Sequence, residues 1–97
     1  EYFGSGYAMF TKEGIKAVSL MRDYEGIELE GTYTGKALAA LVSDAKNSEL
    51  KDKTILFWNT VNSRDFSELI EPIDYNNLPK SFHRYFREEV QPLDRSV

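Results

Sequence analysis

The chain has 97 residues, enough for one compact domain or a part of one. Its net charge of −4, with scattered Lys and Arg, gives no electrostatic basis for binding nucleic acid. The lack of cysteine excludes disulfides and thiolate metal sites, and a single histidine, His83, excludes an imidazole-rich one. No apolar run approaches the roughly 20 residues that span a bilayer, and no signal peptide is visible, so the expectation is a cytoplasmic chain without membrane contact.

Six Phe, six Tyr and one Trp can fill a core that few aliphatic residues could. Residues 1–10 read as a loop around Gly4 and Gly6. Because the chain opens at Glu1 without an initiator Met, a cut inside a longer polypeptide is expected. Thr11 is suited to cap a helix running to about Tyr24, with Ile15, Val18 and Met21 on its apolar face and Gly26 as its left-handed stop.

Ile27–Glu30 alternates with period two and predicts a short strand broken at Gly31. A second helix is predicted from Thr34 or Gly35, with Ala37, Leu38, Leu41, Val42 and Ala45 on one face. Thr54–Trp58, apolar without alternation, predicts a strand covered on both sides. Ser63 can cap a short helix through Phe66, Leu69 and Ile70 that ends at Pro72. Pro79 suits the first turn of a last helix with Phe82, Tyr85, Phe86 and Val90 on one side. This order predicts an α/β arrangement: a three-layer fragment with a small, mainly parallel sheet flanked by helices.

Two stretches could carry chemistry. Tyr33-Thr34-Gly35-Lys36 is a hydroxyl-rich turn at a helix N-terminus, where free N–H groups attract anions. Asn59-Thr60 follows the carboxyl end of the second predicted strand, where open α/β sheets bind ligands. Capping and turn formation would account for the same residues.

Gly4-Ser5-Gly6-Tyr7-Ala8, Glu25-Gly26-Ile27-Glu28-Leu29, Tyr33-Thr34-Gly35-Lys36-Ala37-Leu38 and Ile55-Leu56-Phe57-Trp58-Asn59-Thr60 stand in one order. Together they resemble the C-terminal part of pyridoxal-phosphate enzymes of the tryptophan-synthase-β type, near D-cysteine desulfhydrase and 1-aminocyclopropane-1-carboxylate deaminase. The resemblance implies that Tyr33 faces the substrate and that Thr34 or Thr60 places a hydroxyl near the pyridine nitrogen. In the deaminases a glutamate stands where this chain has Thr34. A neutral hydroxyl leaves that nitrogen largely unprotonated, which suits α,β-elimination better than ring opening. The family's Asp-Pro-Val before the tyrosine is Glu30-Gly31-Thr32 here, and its Thr-Gly-Gly after the strand is Thr60-Val61-Asn62, implying an altered substrate preference.

The family's Schiff-base lysine and phosphate loop lie upstream of the matching segments. Lys36 is therefore expected to pack its stem and pair with a carboxylate, and this chain alone to bind no cofactor and turn over nothing. The resemblance implies residues 1–63 as the C-terminal part of a cofactor-binding α/β domain, and residues 64–97 are expected to be a helical tail packing on it. The partners implied are the upstream part of the same polypeptide, a small amino-acid substrate and, as the family is often dimeric, a second copy. The other reading is a small non-catalytic α/β module for binding or assembly. His83 and Trp58 read as structural, at a boundary and in the core respectively.

Overall fold

The computed structural model describes residues 1–93. They fall into two compact units, residues 1–61 with Leu93, and residues 62–92. The last four residues of the expected tail lie outside the described residues.

The first unit is built on two helices, α1 (Lys12–Glu25) and α2 (Thr34–Asp44). Thr11 caps α1 as its sequence predicts, its Oγ1 accepting from the Gly14 N–H at 3.0 Å. At the other end Gly26 takes the left-handed conformation, φ 66°. The Gly26 and Ile27 N–H groups then return to the Arg22 and Met21 carbonyls, closing the helix end.

The helices pack through Ala17 and Val18 of α1 and Leu38 and Ala39 of α2, with Leu29 from the connection. Val18 is wholly inaccessible to solvent, and burying such a side chain contributes about 2 kcal/mol. Glycines set the closest approach. A Cβ on Gly35 would lie 2.7 Å from Val18 Cγ2, 2.8 Å from the Glu30 carbonyl and 3.1 Å from that of Gly14. This contact also decides which face of α2 turns inward. The buried positions are Thr34, Gly35, Lys36, Leu38 and Ala39, whereas Ala37 and Ala45, assigned to the apolar face from the sequence, are exposed.

The predicted α/β architecture with a parallel sheet does not form: no strand occurs among the described residues. A strand exists only as half of a hydrogen-bonded ladder, and among the described residues the backbone bonds of Ile27–Glu30 go to the two helices, Ile27 N to the Met21 carbonyl and Gly35 N to the Glu30 carbonyl, with none to Thr54–Trp58. A side-chain bond joins the first segment to the residue after the second, Asn59 Nδ2 donating to the Glu28 carbonyl at 3.3 Å. In the first segment Leu29 enters the core and Glu30 turns to the N-terminus of α2. In the second only Phe57 packs on the core, while Leu56 and Trp58 are each 75% exposed. Trp58 is thus not the core residue its aromatic character suggests.

The second unit has two single-turn helices, α3 (Ser67–Ile70) and α4 (Arg84–Arg87), with 3₁₀ turns at Tyr75–Asn77 and Lys80–Phe82. Asp65, rather than Ser63, stabilises the start of α3 by accepting from Ser67 N at 2.8 Å and Ser67 Oγ at 2.5 Å. The long last helix expected after Pro79 is a 3₁₀ turn followed by one α turn. Helices of this length need an apolar surface to pack on, and no side chain of residues 62–92 is fully buried. Tyr75 instead organises the unit. Its ring stacks on Phe86 at 4.7 Å and meets the His83 imidazole edge-on at 5.6 Å. Arg87 donates to the Tyr75 hydroxyl at 3.0 Å and to Asn76 Oδ1 at 2.9 Å.

No helix among the described residues is long and apolar enough to cross a membrane.

Candidate functional site

The N-terminus of α2 collects the residues singled out in the sequence. The first backbone N–H groups of a helix lack intrahelical partners, and here Glu30 supplies them with one. Its carboxylate accepts from the N–H groups of Thr32 at 2.5 Å, Tyr33 at 2.6 Å and Thr34 at 2.6 Å. Its carbonyl accepts from Gly35 N at 2.8 Å. Burial pushes the Glu30 carboxyl up, but the hydrogen bonds from the Thr34, Tyr33 and Thr32 backbone and from the Thr34 hydroxyl outweigh it. The net result holds the group below the ordinary carboxylate range. A negative charge at this end of a helix also complements the helix dipole.

Thr34 is only 3% exposed. Its hydroxyl accepts from Glu30 N at 2.9 Å and lies 3.3 Å from both the Glu30 carbonyl and Oε1, either of which can take its proton. The hydroxyl is therefore engaged within the turn.

Tyr33 is 58% exposed and hydrogen-bonded through its hydroxyl to that of Tyr7, from the glycine-rich loop. The two rings meet edge to face at 6.3 Å. The Tyr7 hydrogen bond, with smaller contributions from burial, Tyr7 and the Glu30 charge, pushes the Tyr33 phenol above its ordinary value. In the neutral range Tyr33 is therefore a protonated hydroxyl, suited to donating a hydrogen bond or a proton rather than to acting as a base.

Lys36 is buried, and its Nζ donates to the Phe3 carbonyl at 2.6 Å while lying 5.2 Å from the Phe3 ring centre. The stem packs as expected, but the partner is a carbonyl and a ring face instead of a carboxylate. Gly4, at φ 88°, lets the loop pass here, since a Cβ on it would meet Thr11 Cγ2 at 2.7 Å.

Thr60 is exposed, and no hydrogen bond joins it to Tyr33 or Thr34 among the described residues. Its neighbour Asn59 bonds the Glu28 carbonyl and accepts from Val61 N at 3.1 Å. A separate groove of about 270 Å³ between α1 and α2 has an apolar floor of Ala17, Leu20, Ala39 and Val42 and is flanked by Lys16 and Lys46. None of Tyr33, Thr34 and Thr60 lines it.

Sequence reasoning placed Tyr33 and Thr34 at a helix start but missed Glu30. The signal was an acid followed by Gly-Thr-Tyr-Thr, a carboxylate four residues ahead of the first helical residue. The Tyr7–Tyr33 pair spans 26 positions and has no local signal.

Pyridoxal phosphate needs an anion cradle and a lysine amine. The backbone donors of α2 converge on Glu30, and Lys36 on Phe3, so these two features do not fit the group. No protein-family model matches the chain, and no solved structure matches it.

Proposed function

We propose that this chain is the C-terminal part of a pyridoxal-phosphate-dependent lyase or deaminase acting on a small amino acid, by α,β-elimination that releases ammonia. In this reading the chain contributes hydroxyls, while the Schiff-base lysine and the phosphate loop come from an upstream part of the same polypeptide. The supporting observation is spatial. The glycine-rich loop and the Tyr-Thr-Gly-Lys segment, far apart in sequence, meet through Tyr7 with Tyr33 and Phe3 with Lys36. Two of the segments that carry the family resemblance thus form one surface, with the Tyr33 phenol exposed upon it.

Tyr33 serves in this reading as the residue facing substrate, a neutral phenol whose hydroxyl is positioned by Tyr7. Of the two threonines, Thr60 is assigned to the pyridine nitrogen, because Thr34 is engaged by Glu30. A cytoplasmic setting belongs to the same reading, as do the small amino acid as substrate and the upstream polypeptide as partner.

The test uses the whole polypeptide. Upstream of Glu1 the reading frame should encode a lysine-bearing segment and a glycine-rich turn; without them the enzymatic reading fails. Thr60→Val should then shift the absorption of the bound cofactor, and an unchanged spectrum would remove the assignment. Tyr33→Phe should lower turnover far more than stability, whereas equal losses would make the residue structural.

A second reading, a non-catalytic assembly element, is favoured by a different observation. Most of the large apolar side chains of residues 62–92 face solvent.

A further inference from the structure

We propose that the groove between α1 and α2 binds a medium-chain monocarboxylate, a ligand of one hydrocarbon chain and one carboxylate. The inference goes beyond the proposed catalysis and does not rest on it, since none of Tyr33, Thr34 and Thr60 lines the groove.

Helical spacing builds the groove. Glu13, Lys16, Ala17 and Leu20 lie three or four positions apart or side by side, so α1 offers them on one face. Ala39, Val42 and Ser43 repeat the spacing on α2, and Lys46 continues it just past the helix end. The floor is therefore hydrocarbon and the rim is charged. The space is about 270 Å³, the share of roughly nine liquid waters. That suits a single hydrocarbon chain. A helix, about 10–12 Å across with its side chains, is too wide for it.

The rim decides the head group. Lys16 and Lys46 bring two positive charges and Glu13 one negative, so the lining residues carry a net single positive charge. None of the three makes an ion pair among the described residues. One carboxylate neutralises this rim, whereas a phosphate dianion would leave negative charge in excess beside Glu13. Exposed ion pairs each add little, so the hydrocarbon supplies the affinity and the lysines the choice of head group.

A neighbouring hollow provides the contrast. Leu20 also borders a space of about 370 Å³ with Met21, Tyr24 and Leu38, and its one charged lining residue is Glu25. Apolar surface alone would draw a ligand to both. An anion is repelled by Glu25 and attracted by Lys16 and Lys46. The N-terminus of α2 does not compete for the carboxylate, because Glu30 already occupies it.

Titrating the 97-residue chain with octanoate, while following the side-chain methyl groups by NMR, tests this. The Ala39 and Val42 methyls should shift and saturate at one equivalent, with the Met21 methyl unmoved. Hexanoate should bind at least about threefold more weakly, for want of two methylenes. Octanol, which has no charge, should bind more weakly than octanoate and shift the Met21 methyl as well. Lys16→Gln with Lys46→Gln, both exposed positions, should bring octanoate down to the affinity of octanol, and Glu13→Gln should tighten octanoate alone. Absence of saturable binding, which would leave the groove to a protein partner, overturns the proposal. So do shifts centred on Met21, tighter binding of octyl phosphate than of octanoate, or undiminished octanoate affinity in the doubly substituted chain. Should that chain lose its native circular dichroism, octanoate against octanol on the native chain decides, and equal affinity overturns the proposal.

Discussion

Residues 12–44 and residues 62–92 draw on similar residue types and arrive at opposite results. In the helix pair small residues do the decisive work. Gly14 and Gly35 bring two backbones together, Ala17 and Ala39 fill the seam, and Val18 is sealed inside it. In the second unit the apolar side chains are larger but fewer, none is fully buried, and single turns are held by Asp65, Asp74 and the stack on Tyr75. The size of the apolar side chains therefore does not decide which segment acquires a core. Two elements long enough to present a continuous face, and small enough at the crossing to touch, decide it.

The comparison can be broken most forcefully at Gly35. Gly35→Ala drives a methyl into Val18 and the Glu30 carbonyl, so the helix pair should lose about 3 kcal/mol in urea unfolding followed by circular dichroism. A loss within error of zero would mean that the helices separate freely. Leu38→Ala and Val18→Ala should cost about 3 and about 2 kcal/mol in the same assay. Tyr75→Ala is the matched change in the other unit. It should disperse the His83 and Phe86 ring signals in proton NMR while moving the helix-pair transition by less than about 1 kcal/mol. Coupled loss of both units would erase the distinction.

A smaller effect is expected at Glu30. Its folded carboxyl titrates below the ordinary value of 4.5, so its contribution is complete above that value and is lost as pH falls through the lower folded one. Acidification through that window should loosen the first turn of α2 and the Tyr7–Tyr33 contact, seen as faster exchange of the Thr32–Thr34 amides. Glu30→Gln should flatten this part of the pH profile and cost about 1 kcal/mol at neutral pH. A profile identical to the native one would remove Glu30 from the account.

The sequence made α1 legible nearly to the residue, because Thr11 and Gly26 are local signals that need no distant partner. The start of α2 at Thr34 was legible for the same reason. The strands were not. Ile55-Leu56-Phe57-Trp58 has the composition of a buried strand, but a ladder depends on a second segment that composition cannot supply, and Glu28 answers Asn59 with a single side-chain bond. The inward face of α2 was read correctly at Leu38, Leu41 and Val42 but not at Ala37 and Ala45, because the Gly35 crossing, a tertiary contact, turns Ala39 inward in their place. At the site, Tyr33 and Thr34 could be named from the Tyr-Thr-Gly-Lys segment. That Thr34 turns inward to Glu30 while Tyr33 reaches Tyr7 follows from carboxylate capping and a long-range contact, and neither is written in that segment.

The central claim is that this chain offers hydroxyls to a site and keeps its helix N-terminus closed with its own carboxylate. Titrating the 97-residue chain with pyridoxal phosphate, while following the Thr32, Tyr33 and Thr34 amides by NMR and the cofactor by absorbance, tests it most directly. The account requires that these amides stay unmoved and that binding does not saturate at one equivalent. Stoichiometric binding with shifts at those three amides, Glu30 being intact, would contradict it.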